Sequence, residues 1–110
     1  MNHNNILENS ALKKTVDRWM NEVWQKRNVD AVDELHTSDF VDRSPAGRSP
    51  DNKGFKEGLV RFYEAFPDFF ATTDDLVIDA SEEKVAVRWS AVGTHEGQYM
   101  GVPPTGRRIA

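Results

Sequence analysis

The chain has 110 residues, 14 of them basic and 18 acidic, for a formal net charge of −4, and it contains no cysteine. That length suits one domain with a real core and leaves no room for two, the acidic balance excludes the basic footprint that nucleic acid or an anionic membrane surface requires, and the missing cysteines exclude disulfides and thiolate chemistry. Met1 to Asn9 carries neither a basic n-region nor an apolar h-region, and no apolar run approaches the roughly 20 residues that span a bilayer, so the expectation is a soluble, cytoplasmic protein.

In chain order, Met1 to Asn9 reads as a polar, disordered leader in which His3 has no function. Ser10 is placed to cap a helix whose Leu12, Val16, Trp19, Met20, Val23 and Trp24 recur at helical spacing. Trp19 and Trp24 belong to its buried stripe, either as plain core or lining a ligand cavity. Asn28 is placed to cap a second, short helix, Val29 to Leu35, packed on the first through Ala31, Val32 and Leu35. His36 follows where a helix dipole favours a cation. Phe40 and Val41 suggest a short strand, with Asp42 forming a turn ahead of Ser44-Pro45, and Pro45 to Gly54 reads as a loop over a pocket.

A third helix is predicted from Phe55 to Phe66, with Phe55, Leu59, Phe62, Tyr63 and Phe66 on one face and Pro67 as its stop. Tyr63 is either a core tyrosine with a satisfied hydroxyl or a donor into the cavity. Phe69 to Ala80 is strand-like but interrupted by Asp74 and Asp75, which as strand neighbours point to opposite faces and cannot share a proton. Ser81 to Lys84 is a charged turn that returns the chain as an antiparallel hairpin.

The rest of the chain is organised around Val85 to Arg108. Val85, Val87, Trp89 and Ala91 alternate with Ala86, Arg88 and Ser90, so the odd-numbered positions form a buried strand face. If that register continues, His95 and Tyr99 project from the same face and put polar groups into a sheet-lined pocket. A bulge at Gly93 or Gly97 would reverse them. Histidines at 3, 36 and 95 lack metal-ligand spacing, and there is no Gly-x-Ser-x-Gly elbow, phosphate loop or dinucleotide fingerprint. Cofactor-free acid/base chemistry remains, with His95 as its candidate because an imidazole exchanges a proton near neutrality. The alternative is that His95 only hydrogen-bonds neighbouring strands.

Gly93-Thr94-His95-Glu96-Gly97 followed by Gly101-Val102-Pro103-Pro104-Thr105-Gly106-Arg107, together with Val16 to Phe40 and Phe66-Pro67-Asp68 upstream, resembles the SnoaL-like polyketide (ester) cyclases of the nuclear-transport-factor-2-like superfamily. The resemblance covers nearly the whole chain. It implies an α+β fold of one domain, residues 1–110, in which a cone-shaped, curved antiparallel sheet packs on three N-terminal helices and encloses one pocket. It implies ring closure of a polyketide ester, with His95 and Asp42 as the catalytic pair and Trp89, Tyr99, Arg43, Trp24, Tyr63 and Phe62 around a small apolar ligand, without metal or cofactor. An isomerase or hydrolase in the same pocket, or a non-catalytic binding module, are the other readings. Such relatives usually continue for two further strands bearing a tryptophan and a late acidic residue, which Ala110 precedes. The expectation is therefore either a fragment or a homodimer joined through its sheet.

Overall fold

The computed structural model describes the backbone from residue 3 to residue 110 and the side chains from residue 9 onward. Helix α1 spans His3–Trp19, so residues 3–9 of the expected leader are helical, and Met1 and Asn2 lie outside the described residues. Ser10 sits inside the helix with its side chain exposed rather than at its start. Once the apolar stripe nucleates a helix, each added residue gains one backbone bond at little cost, so the stripe does not mark where the helix begins.

At Met20–Gln25 the helix widens into a π turn that buries Met20 and Val23. The i→i+5 closure brings Trp19 and Trp24, five residues apart, edge to face at 5.7 Å. Arg27 then adopts a left-handed conformation (φ 58°), and the Asn28 N–H reaches back 2.8 Å to the Glu22 carbonyl. The turn also aims Gln25 at the sheet. Its side-chain oxygen accepts from the Ala71 N–H at 3.1 Å and its amide donates to the Ala71 carbonyl, so a side chain covers part of an open strand edge.

Helix α2 is shorter than expected, Ala31–Leu35, because Ala31 and Val32 first make tight turn bonds to the carbonyls of Asn28 and Val29. Ala31 and Val32 are its buried residues. No strand forms at Phe40 and Val41: the Phe40 N–H returns to Thr37 and the Asp42 N–H goes to Pro50, and without a neighbouring ladder an apolar pair stays irregular. Helix α3 spans Asn52–Ala65, starting earlier than the apolar stripe does. Asp51 caps it, accepting from the Gly54 N–H at 2.9 Å, and this bond, with a second from the Ser49 hydroxyl, holds the Asp51 carboxyl below its ordinary range. Tyr63, on the buried face of α3, donates its hydroxyl to the Val23 carbonyl, and burial pushes its phenol up to about 12. It is a core tyrosine.

The sheet has three antiparallel strands in the order β1 (Phe70–Asp79), β2 (Lys84–Thr94), β3 (Arg108–Ile109). It is open. The irregular pattern across Asp74 and Asp75 is a bulge: Thr73 opposes Trp89 and Asp75 opposes Arg88, leaving Asp74 as the extra residue, its carboxylate bonded to the Ser90 hydroxyl. Parity therefore reverses within β1. Ala71 faces the helices before the bulge, and Leu76 and Ile78, opposite Val87 and Val85, face the same side after it. The helices cover only one end of this hairpin, so the molecule is long, 52 × 28 × 20 Å, with a radius of gyration of 15.7 Å against about 13 Å for a compact chain of this size. Trp89, on the inner face, remains 55 % exposed. Among the described residues no helix is long and apolar enough to cross a membrane.

His36 does not serve as a dipole-stabilised cation. The Trp19 indole N–H donates to its Nε2 at 2.9 Å, which requires an unprotonated nitrogen, while Nδ1 lies 3.0 Å from the Asn52 side-chain oxygen. Burial against Phe40 and Phe55 favours the neutral ring and lowers its pKa. A histidine whose folded pKa lies below its unfolded value of about 6.5 contributes stability that is complete above that pH and is lost as pH falls through the folded value. The melting temperature is therefore expected to fall between about pH 7 and pH 5, and His36→Gln, which keeps an acceptor for Trp19, to flatten that slope. An unchanged slope in differential scanning calorimetry would contradict the assignment.

Candidate functional site

The end of α3 is where the distant segments meet. The amide groups of Glu96 and Gly97 both donate to the Ala65 carbonyl, at 2.9 and 3.1 Å, which satisfies an acceptor that the helix leaves open. Gly97 is required there, since a Cβ at that position would stand 2.5 Å from the Glu64 carbonyl oxygen. Asp68, just past Pro67, accepts from the Thr94 N–H at 2.6 Å and the Thr94 hydroxyl at 2.7 Å, and these bonds hold its carboxyl below the ordinary range. The ladder then continues past β2, with the His95 N–H donating to Arg107 at 2.9 Å and the Gly106 N–H donating to His95 at 2.8 Å. The Thr105 hydroxyl lies 3.1 Å from His95 Nδ1 and also accepts from the Arg107 N–H at 3.2 Å.

β2 carries no bulge, so His95 keeps the parity of Val87 and Trp89 and lies on the inner side, only 9 % exposed. Its ring stacks on Phe66 at 5.4 Å, and its Nε2 is buried with no hydrogen-bond partner among the described residues. Tyr99 arrives by another route. Met100 (φ 50°) and Gly101 (φ 80°) are both left-handed, forming a tight hairpin turn closed by paired Tyr99 and Val102 backbone bonds of 3.0 and 2.9 Å.

Between α3 and β2 these elements leave an aromatic cleft of about 180 Å³, walled by Trp24, Phe55, Phe62, Phe69, Trp89 and Tyr99, with Arg48 and Gly58 at its side. Arg48, Gly58 and Tyr99 also line an open, more polar groove of about 620 Å³ that includes Arg61, Glu64 and Gln98. Of the residues expected at a site, Trp24, Phe62, Trp89 and Tyr99 come together here. His95 lines neither space: Phe66, which touches Phe62 at 5.0 Å and Tyr99 at 5.8 Å, stands against its ring. Tyr63 is turned away, its hydroxyl committed to Val23. Arg43 is exposed. Asp42 is bonded not to His95 but to the Ser44 N–H at 2.9 Å and to Arg48 Nη2 at 3.3 Å.

Arg48 was not legible as a site residue, because loops of this composition carry many solvated arginines. The available signal was Gly58, a glycine inside a helix beside Phe55, Leu59 and Phe62, which marks a place where something packs against the backbone. Among the described residues no group of three or more His, Asp and Glu is arranged to hold a metal.

The sequence matches the SnoaL-like polyketide cyclase family over residues 14–110. The chain belongs to that family. No curated protein matches the chain. Among solved structures, TsrD from Streptomyces laurentii superposes with a TM-score of 0.79 at 19% identity, covering 91% of this chain and 72% of its own. A candidate SnoaL-like polyketide cyclase from a Jannaschia species gives 0.75 at 21%, covering 92% and 71%. IdmH from Streptomyces antibioticus, a candidate polyketide cyclase, gives 0.64 at 29% identity over 88% of this chain and 74% of its own. The SnoaL-like fold is thus shown for this chain, with its helices and antiparallel sheet.

In this SnoaL-like domain the backbone contact at Gly97 allows no side chain. Gly97→Ala is expected to cost about 1–3 kcal/mol or more, as overpacking against a rigid backbone does, and to release Tyr99 from the cleft. Urea denaturation measures the first effect, and the amide and ring resonances of residues 95–99 measure the second. A variant of wild-type stability would mean that the α3 terminus does not hold the segment.

Proposed function

We propose that this SnoaL-like domain is a cofactor-independent enzyme that performs acid/base chemistry on a small, mostly apolar carbonyl compound, in the manner of a polyketide or ester cyclase. The reading is supported first by the aromatic cleft, whose walls suit an apolar ring system and whose polar groups stand only at its rim. Membership of the family supports the reaction class, as does the likeness to IdmH.

In this reading Trp24, Phe62 and Trp89 hold the substrate's apolar body, and Tyr99 donates its hydroxyl to a carbonyl oxygen. Removing a proton from a carbon flanked by carbonyls places charge on that oxygen, and a donor aimed at it lowers the barrier most when water is excluded. His95, with Nδ1 engaged by Thr105 and Nε2 unpartnered, is the proton acceptor in this reading, which requires the Phe66 ring stacked on it to turn aside when substrate enters. Asp42 has a different part from the one expected, since its carboxylate fixes Arg48. A second reading, a non-catalytic binding module, is favoured by Phe66 standing between His95 and the cleft.

Proton–deuterium exchange at the activated carbon of a β-keto ester, followed by nuclear magnetic resonance, separates the two. The protein is expected to accelerate exchange over buffer, and His95→Ala to reduce that acceleration by about 10²- to 10⁴-fold while changing thermal stability little. Equal losses of folding and exchange, or no acceleration at all, would favour the binding module.

We further propose that the domain pairs with a second copy through its sheet. Phe70 and Val77 are 57 % and 60 % exposed on the face turned away from the helices, and the sheet is open, with β1 as an edge strand whose backbone groups can pair with another strand. Sedimentation at micromolar concentration is expected to give a dimer that Val77→Lys weakens. A stable monomer would refute the pairing.

A further inference from the structure

We infer that Arg48 is the ligand-anchoring residue of the aromatic cleft, and that the site selects compounds with a small apolar ring body carrying a free carboxylate rather than the corresponding ester. This rests on the proposal that the cleft is the ligand site, and it names the chemical class that the site takes.

The placement of Arg48 is built from three sides. Its side chain lies across α3 at Gly58, where a Cβ would stand 2.4 Å from Nε and 2.7 Å from both Cδ and Cζ, so the helix carries a glycine where the arginine crosses it. Asp42 takes one N–H from Nη2 at 3.3 Å and is itself held by the Ser44 amide at 2.9 Å. The third side is the ligand space, since Arg48 and Tyr99 stand where the aromatic cleft opens into the polar groove.

A guanidinium presents five N–H donors in a fixed plane and stays charged at any working pH. Asp42 occupies one of them. Nε is sealed against α3 where the side chain crosses Gly58 and finds no acceptor there, which leaves the guanidinium N–H groups other than the one given to Asp42 as those able to meet a ligand. Of the aromatic side chains in the walls, Tyr99 alone brings an acceptor, and its hydroxyl can also donate. A ligand oxygen would complete this set of donors.

The charge and shape of those donors select the carboxylate. Two parallel charge-assisted bonds form between a guanidinium edge and a carboxylate, each roughly twice as strong as a neutral one, whereas an ester carbonyl offers one neutral oxygen. Arg61, in the groove beyond, offsets the nearby charge of Glu64, so the rim does not repel an anion overall. The surrounding rings keep the local dielectric low and strengthen the contrast.

The test is equilibrium binding to the intact chain, read by tryptophan fluorescence and calorimetry, with naphthoate and its methyl ester as probes. Naphthoate is expected to bind at least about tenfold more tightly than the ester, the worth of a charged hydrogen bond. Arg48→Gln should lower naphthoate affinity at least about tenfold more than it lowers ester affinity, and Arg48→Lys should restore part of the preference. Gly58→Ala, which displaces the arginine without removing it, should also lower naphthoate affinity selectively. Equal affinity for acid and ester, binding of neither, or a parallel loss of both in Arg48→Gln would overturn the inference. Thermal melts confirm that each variant is folded. Loss of deuterium exchange with the naphthoate preference intact would sink only the acid/base proposal, and the converse result only this one.

Discussion

The C-terminal end of α3 is the constraint on which the other features depend. A helix ends with carbonyls that lack partners, and here Ala65 is satisfied by two consecutive amides of the segment that follows β2. The contact places backbone directly on backbone, and only a glycine at 97 permits it. Because this end of the helix is also where Pro67 turns the chain toward the sheet, Asp68 comes within reach of Thr94, and the ladder beyond Thr94 brings Thr105 to His95. Three short stretches distant in sequence are thereby bound to one another. The residues that make the family recognisable act first as this junction.

The junction also decides what the pocket contains. It buries His95 behind Phe66, and it delivers Tyr99 to the cleft only after the chain has left the strand and reversed at Met100 and Gly101. Alternation along β2 therefore accounts for the inward side of His95 but not for Tyr99, whose position comes from a turn. On the opposite wall the π turn places Trp24 against Phe62 and Phe69, at 6.1 and 6.0 Å, so that both sides of the cleft are aromatic. The polar rim comes from the loop between α2 and α3, through Arg48 braced by Asp42.

Two imidazoles, one half-buried and one buried, illustrate how the same side chain takes different chemistry from its surroundings. His36 is locked as a neutral ring by a donor on one nitrogen and an acceptor beside the other, which fastens α1 to the start of α3. Asn52 extends the link by donating to the Thr37 carbonyl at 2.8 Å. His95 has only Thr105 on one nitrogen and nothing on the other among the described residues, so its fold contacts leave one nitrogen uncommitted. A saturated histidine serves structure, and an unsaturated one is open to chemistry.

The sequence by itself determined the elements whose patterns are local: the buried stripes of α1 and α3, the alternation of β2, the charged turn, expected at Ser81 to Lys84 and formed one residue earlier, and, through its motifs, the family and its α+β class. It also placed Trp24, Phe62 and Trp89 on inward faces, because large apolar side chains at periodic positions face inward. Other features were decided by partners remote in the chain. The bulge at Asp74 reversed the register of β1, the π turn and the Asp51 cap moved helix boundaries, and Trp19 turned His36 from an expected cation into a neutral acceptor. Arg43 and Arg48 are indistinguishable by residue type, and only the packing of one across Gly58 separates an exposed charge from one that lines the cleft. Period and composition report which face a residue belongs to, whereas hydrogen-bond partners and close contacts are set by where the chain returns to meet itself.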